Sequence, residues 1–459
     1  MPSSRPLANR CTKSADSGEP RVDPKRPRDP NVTELQLERN PLKRFVRVLG
    51  PGLITGASDD DPSGIGTYAQ TGARYGYQFL WTTILMLPMM ISVQYICAKI
   101  GLVSGRGLAA VFKQRYPGQV VYPVVLAMVI ANTVNAGADI GAIGAALNIL
   151  VPIPAVLFVV PVGIAIALIQ VLGSYQLISR IFKWLALALL AYVGAALFSH
   201  PDMGAVLAGS LIPKINVDAA SIGILVALLG TTISPYLFFW QTSQEVEEQK
   251  NMGRRRLWQR QGASKAELKF ALWDTVAGMA FSEIVAFFII LATGATLFVS
   301  GKTDIQSATD AAQALRPVAG DASALLLAIG LIGAGILAVP ILTTSAAFGV
   351  ADALGWKSSL DAKPREAKRF YAVIVAATLV GIAINFLGIN PIQALVVTAI
   401  LNGLLAPPVL ILVMLASNDR AIMGERTNGR LLNIVGWATT LVMAAAAIAL
   451  VVVTLLPSK

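Results

Sequence analysis

The sequence predicts an all-α polytopic membrane protein of eleven transmembrane helices, and three observations predict it. Of 459 residues, 55% are apolar and 14% charged, against about 45–50% and about 25% in a soluble domain, and mean hydropathy is +0.64. The apolar residues fall into runs of the roughly 20 residues that a bilayer-crossing helix requires. Threading those runs up and down puts 32 of the 37 Lys and Arg residues on one side, an asymmetry that marks the cytoplasmic face.

Residues 1–43 are polar and rich in Pro and Arg (Pro24-Lys25-Arg26-Pro27-Arg28). They read as a disordered basic cytoplasmic tail, with no apolar core of a signal peptide. The membrane domain is expected over 44–459, with spans near 46–74, 79–101, 121–150, 155–173, 180–199, 219–248, 268–300, 322–351, 369–388, 392–416 and 431–455. The N-terminus then lies inside and the C-terminus outside, in a bacterial inner membrane, and only Arg74, Lys214, Lys302, Arg316 and Lys459 remain outside. The net charge of +11 is thus topology rather than a nucleic-acid surface. Arg254-Arg255-Arg256 reads as a positive-inside determinant touching anionic lipid. Two cysteines, Cys11 and Cys97, and one histidine, His200 in an outer loop beside Pro201, exclude a disulfide framework and a Cys/His metal cluster.

Span 1 carries Asp59-Asp60-Asp61-Pro62-Ser63-Gly64 inside an apolar segment. Proline removes an amide donor and glycine favours non-helical backbone, so an unwound stretch is expected over 59–64. The competing reading is an interfacial turn between two short helices, but the flanking pieces are too short to span alone. An aspartate at the bilayer centre costs at least about 2.5–3.5 kcal/mol on insertion scales and marks a functional site by default. Span 6 is interrupted in the same way at Gly230-Thr231-Thr232-Ile233-Ser234-Pro235-Tyr236. Paired interruptions five spans apart point to a five-plus-five inverted repeat of the LeuT type, about 46–199 and about 219–416, with 431–455 as an accessory helix. The two interruptions meet near the midplane, where free carbonyls of one and a carboxylate of the other coordinate a cation.

Among the span residues, Asp61, Asp139, Asp274 and Glu283 are acidic, whereas Lys99 and Lys269 sit at cytoplasmic ends and snorkel. Such a cavity argues for a cationic substrate, and oxygen ligands suit Mg²⁺ or Mn²⁺ rather than Zn²⁺ or Cu⁺. Met86, Met89, Met90 and Met128 read as packing residues. Asn132, Asn135 and Asp139 share one helical face, either as an ion or water pathway or as interhelical hydrogen bonds. Asp274 and Glu283 face opposite sides of span 7; Glu283 joins the span 3 residues as a pathway candidate. Asn402 and Gln393 on span 10 read as outer contacts of the site or as interhelical hydrogen bonds.

These residues resemble the Nramp family of divalent-metal transporters. Gly50-Pro51-Gly52 and Asp61-Pro62 look like its span 1 entry and Asp-Pro-Gly-Asn motif, and Ser234-Pro235-Tyr236 stands where the family carries Met-Pro-His. By resemblance, Asp61 is the metal-binding carboxylate and Thr231 lends a backbone carbonyl. Gly64 stands at the motif's Asn, Ser234 at its metal-binding Met, and Tyr236 and Gln241 at its two histidines; Ala142 replaces a pathway glutamate after Asp139. Loss of the thioether removes the ligand favouring transition metals, and loss of the histidines removes proton relays. These departures look like the Nramp-related magnesium transporter branch, with a hydrated ion and no proton coupling. Asp59 and Asp60 then add negative field near the metal. Glu245, Glu247 and Glu248 attract cations at the inner end of span 6, or form a solvated helix end balanced by nearby arginines. The resemblance implies a transporter, not an enzyme, that works as a monomer with Mg²⁺ or Mn²⁺ as substrate and no cofactor. The alternatives are a proton-coupled Mn²⁺/Fe²⁺ symporter and an organic-cation transporter. A prenyl-transferase is disfavoured because it needs a second Asp cluster and basic residues at membrane depth.

Overall fold

The computed structural model describes residues 51–172, 191–360 and 362–455. The tail over 1–43 with Cys11, Gly50, most of the span expected at 180–199, and Lys459 lie outside the described residues. All regular structure among the described residues is helical. The first part comprises α1 (Pro51–Asp59), α2 (Pro62–Tyr75), α3 (Leu80–Ser104), α4 (Leu108–Arg115), α5 (Gly118–Leu150) and α6 (Ala155–Leu172). After the undescribed segment come α7 (Ala191–Phe198), α8 (Met203–Leu211), α9 (Ala219–Thr232) and α10 (Pro235–Asn251). The remainder is α11 (Lys265–Thr293), α12 (Ser323–Leu354), α13 (Lys368–Ile384), α14 (Pro391–Asn418) and α15 (Arg430–Leu455).

Among the described residues nine helical segments are long and apolar enough to cross a membrane, with Ala219–Asn251 counted as one. The shortest, α6, has 18 residues and rises about 27 Å, close to the thickness of the hydrocarbon layer. The first expected span is divided into α1 and α2, of 9 and 14 residues, neither of which reaches that length. Leu126, Leu157, Leu168, Val380 and Leu441 stand exposed around the outside, and such extensive outward apolar surface fits a lipid environment.

Helices α6, α12, α13 and α14 pack on α5, α1 and α3 pack on α11, and α10 bridges the two groups by packing on α3 and α12. Close approach depends on small residues, as in other membrane helices. A side chain at Gly56 of α1 would run into the backbone of Gly278 on α11, and one at Gly230 of α9 into the backbone of Ala399 and Gly403 on α14.

The connections sort to opposite ends of the bundle. At one end, Arg260 Nε donates to the Gly105 carbonyl at 3.2 Å, Lys113 Nζ to that of Ala353 at 2.7 Å, and Arg115 pairs with Asp419. These bonds gather the Lys- and Arg-rich connections that follow α3, α10, α12 and α14. At the other end, Gln70 donates to Thr303 and Asn390 to Gln306. Exposed His200, with φ of 49°, lies in the connection between α7 and α8. Also at this end, Asp218 caps α9, and bonds from the Ser221 amide and hydroxyl hold its carboxyl below the usual carboxylate range.

Two basic residues depart from expectation. Lys99 does not snorkel outward: it is buried, with Nζ donating to the Thr427 carbonyl at 3.0 Å and to Asn428 at 3.2 Å. A chain segment folded over the helix end supplies oxygens there, so the ammonium need not reach lipid headgroups. Arg254 is likewise buried and ion-paired to Glu267 at 2.6 Å, leaving only Arg255 and Arg256 of that run exposed.

Candidate metal site

The non-helical step between α1 and α2 consists of Asp60 and Asp61 alone, narrower than the stretch expected over 59–64. Asp-Pro-Ser-Gly works locally as a helix start. Pro62 occupies the first turn, where a missing amide costs nothing, and Asp61 is the N-cap. Its Oδ1 accepts from the Gly64 amide at 2.6 Å. Its Oδ2 accepts from Asn135 Nδ2 on α5 at 3.1 Å. Gly64 therefore contributes an amide that orients Asp61. Asp61 is 2% exposed and Asp139, one helical turn from Asn135, is fully buried. No close hydrogen bond reaches either Asp139 oxygen, and the Ser63 amide and the Asp61 charge both act on the group.

Asp59 and Asp60 turn the other way, toward α11. Ser282 Oγ donates to Asp59 Oδ2 at 2.6 Å and lies 3.3 Å from Asp60 Oδ1. Glu283, beside that serine, is buried with neither carboxylate oxygen bonded, and Asp59 Oδ1 and Asp60 Oδ2 are also unbonded. The charged groups that act on Asp59, Asp60, Asp139 and Glu283 are all carboxylates. Among the described residues, no three His, Cys, Asp or Glu side chains converge closely enough to form a metal cluster by themselves.

The second step, Ile233-Ser234, separates α9 from α10. Ser234 does not cap α10; its hydroxyl turns back to the carbonyls of Gly230 at 2.5 Å and Thr231 at 2.8 Å. Thus Thr231 and Ser234, both expected to face the ion, bond one another. Tyr236 ties the two steps together: its hydroxyl donates to the Ser58 carbonyl at 3.0 Å, and its own carbonyl accepts from Ser345 on α12 at 2.7 Å. Tyr68 on α2 and Thr232 on α9 add a second link at 3.1 Å.

The remaining expected residues divide. Asn132 shares the face of Asn135 but donates to the Leu342 carbonyl at 3.2 Å and to Met128 sulfur at 3.1 Å, an interhelical role. Asn402 is buried on α14 beside Gly403, which abuts α9. Gln393 is no outer contact of the site: it is exposed in the first turn of α14, 3.3 Å from Gln306, because Pro391 starts the helix at the loop. Asp274 accepts from the Gly52 amide at 2.6 Å, serving the start of α1. Gln241 accepts from Thr55 at 2.5 Å and donates to Glu245 at 2.9 Å, joining α1 to α10. Glu245 and Glu247 are buried rather than solvated, and Glu247 pairs with Lys250 at 2.6 Å. Glu248 is half-buried. Ser282 and Tyr68 carried no signal in the sequence, where a lone hydroxyl on a membrane helix is common; only the fold aims Ser282 at Asp59 and Asp60 and Tyr68 at Thr232.

Interrupted helices, buried carboxylates and a bundle of apolar spans define a membrane transporter rather than an enzyme. The chain belongs to the family described as natural resistance-associated macrophage protein-like (Nramp), whose model matches residues 52–453. It shares its fold with a manganese transporter of Eremococcus coleocola, solved with an aromatic bis-isothiourea compound, at TM-score 0.71 and 16% identity over 92% of this chain and 90% of that one. It also resembles Mhp1, a nucleobase-cation-symport-1 transporter in a closed conformation, at TM-score 0.55 and 12% identity over 89% and 93%. MhsT in complex with L-phenylalanine matches at TM-score 0.52 and 13% identity over 89% and 98%.

Proposed function

We propose that this chain carries divalent cations, Mg²⁺ with Mn²⁺ also accepted, without obligatory proton coupling, by alternating access around Asp61. The observation that carries this reading is the buried Asp61 carboxylate at the meeting of two helix interruptions, with Asp59, Asp60, Asp139 and Glu283 buried around it. Its surroundings offer oxygen and no thiolate, imidazole or thioether replacing Ser234, and Mg²⁺ is content with one or two carboxylates plus retained water. Asp59, Asp60, Asp139 and Glu283 add buried carboxylates, each with at least one unbonded oxygen, whose charge would attract a cation. In this reading the chain has eleven spans in two inverted repeats, its N-terminus is cytoplasmic and its C-terminus outside, and it works as a monomer in a bacterial inner membrane.

A second reading is a proton-coupled Mn²⁺/Fe²⁺ symporter. It is favoured by the fold shared with a manganese transporter and by Asp139, whose two oxygens no close hydrogen bond reaches and which are therefore free to take a proton. Proteoliposomes loaded with a metal indicator and a pH indicator separate the two. Uptake of Mg²⁺ and Mn²⁺ with no acidification supports the first reading; acidification that follows Mn²⁺ entry, with no Mg²⁺ entry, overturns it. Wild-type uptake by Asp61→Ala overturns both.

A further inference from the structure

The connections after α3, α10 and α14 enclose a cavity of about 330 Å³, at the small end of the range for ligand pockets. Its wall holds Arg106, Arg420 and Arg426, with Gln114, Ser104 and one carboxylate, that of exposed Glu425. With the Gln114 amide turned oxygen-first, that oxygen accepts from Arg106 Nε and Nη1 at 2.8 and 3.1 Å, so the guanidinium is held in the wall. Arg426 is half-buried, and its Nε is buried with no hydrogen-bond partner.

None of the three arginines forms an ion pair among the described residues, while their neighbours Arg115 and Arg254 are paired with Asp419 and Glu267. Three cations sharing a recess repel one another, and an anion with several oxygens relieves that repulsion. The guanidinium fork suits phosphate. The cavity lies at the ends of apolar, membrane-length helices, between the last residues of α3 and the segment leading into α15 at Arg430. Trp258, 45% exposed on the short helix Leu257–Arg260, stands three residues before lining residue Gln261, and tryptophans of this kind mark the lipid interface.

We propose that this cavity binds the phosphate of an anionic lipid headgroup. Arg106, Arg420 and Arg426 take the phosphate oxygens, and the bound lipid joins the ends of α3 and α14 to the connection between α10 and α11. The exposed Arg255 and Arg256, on the same connection but outside the cavity wall, contribute only general field.

Full-length protein in detergent is titrated with short-chain phosphatidylglycerol, short-chain phosphatidylcholine or inorganic phosphate, reading melting temperature and lipid count by native mass spectrometry. The expected result is saturable stabilisation by phosphatidylglycerol alone, with one lipid retained. Each of R106Q, R420Q and R426Q should weaken it about five-fold, whereas R255Q/R256Q should leave it within two-fold. Equal effects of the two lipids, saturable phosphatidylglycerol binding by the triple variant, or an equal loss in R255Q/R256Q overturns the proposal. Inorganic phosphate binding as tightly as the lipid assigns the cavity to a soluble phosphate and overturns the lipid occupant. A triple variant that does not fold leaves the three single variants, made separately, to decide by the same criteria.

Discussion

Asp61→Asn separates the ion-binding role of this residue from its structural one. Asparagine is as good an N-cap as aspartate, so the 2.6 Å bond from the Gly64 amide is kept. Asn135 donates to Asp61 at 3.1 Å and has an unbonded Oδ1, so a turn of its amide accommodates the new NH₂ group. Removing one negative charge also relieves repulsion with Asp139. Stability should therefore change by less than about 1 kcal/mol. A unit-charge pair about 4 Å apart at an effective dielectric of about 20 is worth about 4 kcal/mol, and a divalent ion doubles this. Dehydration offsets most of it. A remaining loss of about 3 kcal/mol corresponds to roughly 150-fold weaker binding. The assay is Mg²⁺ uptake into proteoliposomes at subsaturating ion, alongside a melting curve in detergent. Uptake within three-fold of wild type at an unchanged melting temperature would falsify the assignment of Asp61.

Ser234→Met should raise the preference for Mn²⁺ over Mg²⁺ in competition uptake and lower stability by about 1–2 kcal/mol, since a thioether cannot replace the bonds to Gly230 and Thr231; an unchanged ion ratio counts against ligand softness as the discriminator. Gly230→Ala should destabilise by about 1–3 kcal/mol because backbone on α14 cannot yield. Gly223→Ala, whose new methyl meets only Leu450 at 3.8 Å, should be neutral or gain up to about 1 kcal/mol; melting curves in the reverse order refute the packing argument. Glu267→Gln deprives Arg254 of its buried carboxylate and should cost about 3–5 kcal/mol, with partial recovery in the Arg254→Met double variant; a melting temperature like wild type shows that the pair is not needed.

The apolar runs were enough to place the nine long apolar helices among the described residues, because the bilayer leaves no other way to satisfy backbone polar groups. The two steps in α1–α2 and α9–α10 were visible as proline and glycine beside polar residues. Their form was not. The carboxylate in Asp-Pro-Ser-Gly bonds within its own turn, so the helix restarts after two residues. Ser234 offered the ion a hydroxyl by composition, but the nearest unsatisfied carbonyls belong to its own preceding helix.

Side-chain partners were less legible, because they come from chain segments far apart in sequence. Asp61 meets Asn135 across 74 positions, and Asp59 meets Ser282 across 223. Helical periodicity put Asn132, Asn135 and Asp139 on one face, yet it could not tell that Asn135 reaches Asp61 while Asn132 bonds the backbone of α12. The three consecutive aspartates look like one cluster in sequence; the helix step sends Asp61 toward α5 and the other two toward α11.

By itself, then, the sequence determined a helical membrane protein, the acidic character of its interior and the residues at which two helices stop. Those properties follow from transfer of side chains and backbone into lipid, which acts on each segment alone. Only the tertiary structure decided which carboxylates stand unbonded, which basic residues are buried in pairs and which arginines share a cavity, because electrostatic and hydrogen-bond partners depend on distances of a few ångströms that packing sets.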